Sequence, residues 1–72
     1  MDKAEFLKNF GQRVSKVRRE KGMTQEELAE AIDVHRTYVG FIEQGKRNPL
    51  IFNVYKIAEV TGVPASELLR EL

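Results

Sequence analysis

Two short helical segments near the middle of the chain are separated by almost no connecting residues, and this limits the fold more than any other feature. The first has a strong start signal. Thr24 and Glu27 form a T-x-x-E capping box, with Met23 placed to staple onto Leu28. The segment runs through Leu28, Ala29 and Ile32 for about nine residues and stops near Asp33, because aspartate tolerates turn conformations. The second segment starts near His35 or Arg36, turns Val39 and Ile42 inward three residues apart, and is stopped by Gly45. Asp33 and Val34 are nearly all the turn there is, so the two helices must cross at a large angle.

Glycine and proline cut the remaining sequence into further short helices, five in all. The first is predicted from about Lys3 to Lys21, with Phe6, Phe10, Val14 and Val17 on one face and Gly11 inside it at a cost in helix propensity. Gly22 caps it, after the cations Arg18, Arg19 and Lys21, which suit the negative end of the helix dipole. Asn48-Pro49 suits a fourth helix start with Pro49 in the first helical position, carrying Ile51, Val54, Tyr55, Ile57 and Ala58 and ending at Gly62. Pro64 opens a short fifth helix through Glu67 and Leu68 towards Leu72. Leu50, Ile51 and Phe52 are apolar enough for a strand, but the chain offers no partner strand. These readings predict an all-α fold in one domain over residues 1–72, with the helix-turn-helix at about 24–44.

With 72 residues and no cysteine, neither a disulfide nor a zinc–thiolate site is available, so stability must come from compact helix packing or from association. No apolar run approaches the roughly 20 residues that span a bilayer, and MDKAEFLKNF is too polar for a signal peptide, which points to a cytoplasmic protein. The net charge of +1 conceals an uneven distribution: +4 over residues 1–22, −4 over 23–45 and +1 over 46–72. So weak an overall charge argues against tight indiscriminate binding to nucleic acid but allows a local basic face. One histidine, no cysteine and no glycine-rich phosphate loop leave no nucleophile–base set and no metal cluster, so the composition argues against an enzyme, a metal site or a cofactor.

The chemistry lies on the third helix. With Val39 and Ile42 inward, its outward residues are Arg36, Thr37, Gly40, Phe41 and Gln44. A guanidinium can bind guanine O6 and N7 bidentately, a threonine offers a hydroxyl and a methyl to phosphate or thymine, and Gly40 lets the backbone approach closely. In a helix-turn-helix, the first turn of the second helix is where such groups meet base edges. An ordinary polar helix face would contain the same residue types.

The words Met23-Thr24-Gln25-Glu26-Glu27-Leu28-Ala29-Glu30, Val34-His35-Arg36-Thr37-Tyr38-Val39, Ile42-Glu43-Gln44-Gly45 and Lys46-Arg47-Asn48-Pro49 resemble the Xre family, helix-turn-helix regulators with the fold of phage lambda repressor and Cro. The resemblance runs without gaps from about Phe10 to Leu68. Arg36-Thr37-Tyr38 followed by Ile42-Glu43 is similar in particular to the controller proteins of restriction–modification systems. The resemblance implies a five-helix fold, a sequence-specific regulator and double-stranded DNA as partner. It implies that Gln25 contacts phosphate and braces the recognition helix, that Arg36 and Thr37 read bases, and that Tyr38 lies against the sugar–phosphate backbone. Gln44, Lys46, Arg47 and Asn48 match the phosphate-gripping loop, with Arg47 within reach of a base. Arg18 and Glu43 match a partly buried structural ion pair between the first and third helices.

Three positions depart from the family pattern. Asp33 stands where glycine is common. His35 stands where a small N-cap is usual and is read as an exposed loop histidine, with phosphate contact as the alternative. Phe41 replaces a polar residue, and either packs on a thymine methyl or folds back on the protein. Leu50, Phe52, Leu69 and Leu72 exceed what one small core needs, which points either to a homodimer interface or to padding of an irregular monomer core. A homodimer would take a pseudo-palindromic operator. With no separate domain for a small-molecule ligand in the sequence, regulation would then rest on concentration, dimerisation or a partner. The rival reading is a protein-interaction adaptor or antitoxin-like module of the same fold.

Overall fold

The computed structural model describes residues 1–70; Leu72, one of the four surplus leucine and phenylalanine positions, lies outside the described residues. Five helices follow one another, with no strand among the described residues: α1 (Lys3–Glu20), α2 (Gln25–Ala31), α3 (Arg36–Glu43), α4 (Ile51–Thr61) and α5 (Ala65–Leu69). α3 packs against both α1 and α2, while α4 and α5 close the bundle from the other side. One apolar cluster joins all five, with Val14, Leu28, Ile32, Val39, Ile42, Ile57 and Leu68 fully buried.

Local chemistry sets the helix ends. Asp2 caps α1 by accepting from the Glu5 amide at 2.8 Å. At α2 both halves of the capping box form: Glu27 N–H donates to Thr24 Oγ1 at 3.0 Å, and Thr24 N–H donates to Glu27 Oε1 at 2.8 Å. α2 is seven residues long, shorter than predicted, because the chain turns over at Asp33 in the left-handed region (φ 60°) and Val34 N–H returns to the Ala29 carbonyl. Gly45 ends α3 with φ 75°, and a Cβ there would lie 2.9 Å from the Lys8 backbone, so conformation and packing both demand glycine.

Phe10, Val14 and Val17 are buried on one face of α1 as predicted, and Phe6 alone of the four departs. Leu7 is buried and Phe6 is on the rim, stacked on Phe10 at 6.4 Å between ring centroids. Leu7 shares its side of the helix with Phe10, Gly11, Val14, Val17 and Arg18, a series one residue out of step with Phe6. Gly11 has a packing role: a Cβ there would come within 2.7 Å of the Glu43 carbonyl oxygen, so its absence lets α1 and α3 touch backbone to backbone.

α4 also departs from the prediction. It starts at Ile51 with Leu50 as its N-cap, and Asn48-Pro49 belongs to the preceding connection. Its start is held from outside the helix, by Leu50 N–H donating to the Tyr38 hydroxyl at 3.3 Å. The inward residues are Asn53, Val54, Ile57, Ala58 and Thr61, whereas Ile51 and Tyr55 are exposed. Lys56 lays its ammonium over the Phe52 ring, 4.9 Å from the centroid, and donates to the Ile32 carbonyl at the end of α2.

Candidate nucleic-acid interface

Glu43 is the polar centre that orients α3. Arg18 of α1 grips it bidentately, Nε to Oε2 at 2.6 Å and Nη2 to Oε1 at 2.9 Å, and both side chains are nearly buried. Arg18 Nη1 also donates to the Met23 carbonyl at 2.8 Å, and Gln25 Nε2 donates to Glu43 Oε1 at 3.0 Å. The Arg18–Glu43 pair thereby joins α1, the α1–α2 connection, the first residue of α2 and the last turn of α3. Burial opposes ionisation of Glu43, but the hydrogen bonds from Arg18 and Gln25 and the Arg18 charge together hold its carboxyl below the ordinary glutamate range. The hydrogen bond to Glu43 raises Arg18 further above the ordinary arginine value, against the effect of burial.

So anchored, α3 presents Arg36 and Thr37 on its exposed first turn. Their helix is capped by His35, whose Nδ1 accepts from the Thr37 amide at 3.1 Å. This corrects the reading of His35 as a free loop histidine: it is exposed, but its ring fills the N-cap role that serine or asparagine usually plays. Gln44, Lys46, Arg47 and Asn48 are exposed beyond the end of α3, and Phe41 lies outward with 37% of its surface exposed. Gly40 has room for a side chain within the protein, since the nearest atom to a Cβ would be Gln25 Oε1 at 3.9 Å.

Tyr38 is half-buried against the core. Its hydroxyl accepts from Leu50 N–H and from Asn53 Nδ2 at 3.0 Å, while the Arg47 guanidinium lies over its ring, 5.6 Å from the centroid. The structure therefore brings Gln25, His35, Arg36, Thr37, Tyr38, Phe41, Gln44, Lys46, Arg47 and Asn48 onto α3, its two flanks and the first turn of α2. Sequence reasoning missed Asn53. The available signal was an amide in register with Val54, Ile57, Ala58 and Thr61, a polar group on an inward face that must find a partner.

Leu50 (70% exposed), Phe52 (61%) and Leu69 (41%) do not pad the core. Leu50 and Phe52 join Ile51 and Tyr55 in an apolar patch at the start of α4, where Phe52 and Tyr55 stack at 6.2 Å. Leu69 lies elsewhere, beside Met1 and Phe6 at the junction of α1 and α5.

A helix-turn-helix family model matches residues 14–68 of the chain. Control protein C.BamHI from Bacillus amyloliquefaciens is 46% identical over 61 residues, covering 83% of this chain and 75% of that protein. The crystal structure of the restriction-modification controller protein C.AhdI from Aeromonas hydrophila superposes with a TM-score of 0.83 at 40% identity, over 86% of this chain and 94% of that one. SinR, a master regulator for biofilm formation solved in complex with DNA, superposes with a TM-score of 0.80 at 37% identity, over 85% of this chain and 98% of that one.

Proposed function

The chain belongs to the Xre-type helix-turn-helix family, whose relatives include restriction–modification control proteins, and from that premise we propose how it binds DNA and in what state. It is a DNA-binding transcriptional regulator with the five-helix, lambda-repressor-like fold. In our reading α3 enters the major groove, Arg36 and Thr37 read base edges, and Phe41 meets a thymine methyl. Gln25, Tyr38, Gln44, Lys46, Arg47 and Asn48 hold the backbone on either side. The observation that carries this reading is the exposure of Arg36 and Thr37 on the first turn of a helix whose other end is fixed by the Arg18–Glu43–Gln25 cluster. A reading helix must be exposed at its tip and rigid at its root.

We further propose a homodimer through the apolar patch around Leu50 and Phe52, binding a pseudo-palindromic operator with half-sites about 10 bp apart or a multiple of that. The chain acts on this reading as a cytoplasmic binding protein and not as an enzyme. Among the described residues, no helix is long and apolar enough to cross a membrane.

Selection of bound duplexes from a randomised pool, followed by fluorescence anisotropy across a salt series, tests the reading. The expected result is a roughly two-fold symmetric motif bound far more tightly than scrambled DNA at equal salt. Binding without sequence preference that fades uniformly with salt would overturn it. That outcome would favour a protein-interaction module, for which the exposed α4 patch is the natural surface.

A further inference from the structure

The chain holds five glycines, and four of them are required from within the protein. Gly22, Gly45 and Gly62 take positive φ, and Gly11 lets the backbones of α1 and α3 touch. Gly40 has neither reason. It lies inside α3 without a positive φ, and a Cβ there would meet nothing closer than Gln25 Oε1 at 3.9 Å. Glycine is a poor helix former, so this residue weakens a helix of only eight residues, and nothing in the fold asks for it. Its bare backbone lies one turn beyond Arg36, on the same strip of α3.

The atom beside Gly40 is fixed in kind. A glutamine amide can in principle turn either its oxygen or its NH2 towards a neighbour. Glu43 decides between them here. Its carboxylate, paired with Arg18, can only accept, so the Gln25 NH2 faces it, at 3.0 Å. Oε1 is thereby turned away from Glu43 and comes next to Gly40. No hydrogen bond from the described residues reaches Oε1, and it is not buried. One turn from the Arg36 guanidinium there is thus a free acceptor, beside backbone with no side chain over it. The donors on major-groove base edges are the amino groups, N4 of cytosine and N6 of adenine. A phosphate only accepts and has no use for Oε1; the second N–H of Gln25 remains for it.

Building on the DNA-binding reading, we propose that Gly40 and Gln25 form a base-reading subsite for one major-groove amino group, N4 of cytosine or N6 of adenine. The amino group donates to Gln25 Oε1. The missing side chain at Gly40 is what lets the base edge come that close. The reading face therefore extends from α3 onto the first residue of α2, and Gly40 is a specificity determinant that the fold itself does not need.

The test uses the duplex recovered by selection, with single bases exchanged for analogues that lack the amino group. Pyrimidin-2-one replaces cytosine and purine replaces adenine, which tells the two sources apart. Wild-type protein should lose roughly 10-fold in affinity at one position per half-site, the scale of one hydrogen bond. That position should lie within one base step of the base whose preference Arg36→Ala relaxes. Gly40→Ala should fold at least as well as wild type in urea, yet bind the natural duplex roughly 10-fold more weakly and show no further loss at that position. Gln25→Lys keeps a donor for Glu43 but has no acceptor. It should gain affinity for scrambled duplex through its charge and lose sensitivity at the same position. Comparison between variants cancels the effect of each analogue on the duplex itself. Equal amino-deletion profiles in wild type and Gly40→Ala would overturn the subsite, as would a wild-type profile with no sensitive amino group beside the Arg36 base. Both results would leave the DNA reading intact. Failure to select any duplex would remove the DNA reading itself, and the subsite with it.

Discussion

Gly11 and Gly40 both stand inside helices, where glycine is a poor helix former, yet their surroundings differ. At Gly11 a methyl would be driven into the carbonyls of Ile42 and Glu43, so Gly11→Ala must push α1 and α3 apart. Overpacking of this kind costs about 1–3 kcal/mol, more than the propensity gain returns. At Gly40 the nearest atom is 3.9 Å from the added carbon, so Gly40→Ala should stabilise by up to about 1 kcal/mol. Urea unfolding should therefore move the two midpoints in opposite directions; a shift of the same sign in both would contradict this packing. Arg36 and Lys46 form a second contrast. Arg36→Ala should cost about 1–3 kcal/mol of binding and relax preference at one base, whereas Lys46→Ala should weaken binding on all sequences and lower the salt slope by about one. Anisotropy on the selected and scrambled duplexes separates them. At this scale the sequence was legible wherever the chemistry is local. The Thr24–Glu27 box closes within four residues and needs nothing else. The roles of His35 and Asn53 were hidden, the first because histidine is an uncommon cap, the second because its partner Tyr38 is fifteen residues away.

The helices are held at their intended angles by few polar contacts, and Glu43 accepts three of them, two from Arg18 and one from Gln25. Its carboxyl is held below the ordinary glutamate range in the folded protein, so ionised Glu43 contributes stability at pH values above the unfolded pKa. That contribution is lost as pH falls through the depressed folded value. Glu43→Gln leaves the Arg18 charge buried without a counterion and should cost about 3–5 kcal/mol near neutral pH. The deficit relative to wild type should shrink on strong acidification, where the wild-type carboxyl is itself protonated. Unfolding curves from neutral to strongly acid pH check this; a deficit that stayed constant with pH would show that the ion pair is not its source. Replacing both partners with apolar residues should recover part of the loss. Element boundaries were legible where they follow from backbone chemistry, as at Thr24 and Gly45. They were misread at α4, because Asn48-Pro49 is a sound local start signal that tertiary contact overrides: the Tyr38 hydroxyl fixes the Leu50 amide, and the helix begins there. The shift from Phe6 to Leu7 has a similar cause, since the face of α1 is chosen by where α3 packs.

At the scale of the whole molecule, the open question is what covers the apolar start of α4. Leu50, Ile51, Phe52 and Tyr55 are all more than half exposed, and their arrangement is not loose. Phe52 stacks on Tyr55 and carries Lys56 over its face, while Lys56 also donates to the Ile32 carbonyl at the end of α2. The Tyr38 hydroxyl holds the same helix start to α3. A partner docked on this patch would therefore rest on a support tied to both helices of the helix-turn-helix, and would fix the spacing between two recognition helices. Phe52→Lys puts a charge at the centre of the patch. It should convert a sedimenting dimer to monomer while leaving the fold and the binding of an isolated half-site nearly intact. Binding to the full operator should fall by on the order of 10²–10⁴-fold, because linkage of two modest contacts is what is lost. Arg36→Ala should do the opposite, keeping the dimer and losing base preference. Sedimentation of wild-type protein as a monomer, with and without DNA, would remove the dimer. Full operator affinity in Phe52→Lys would show instead that each chain binds alone and that the α4 patch serves a different protein.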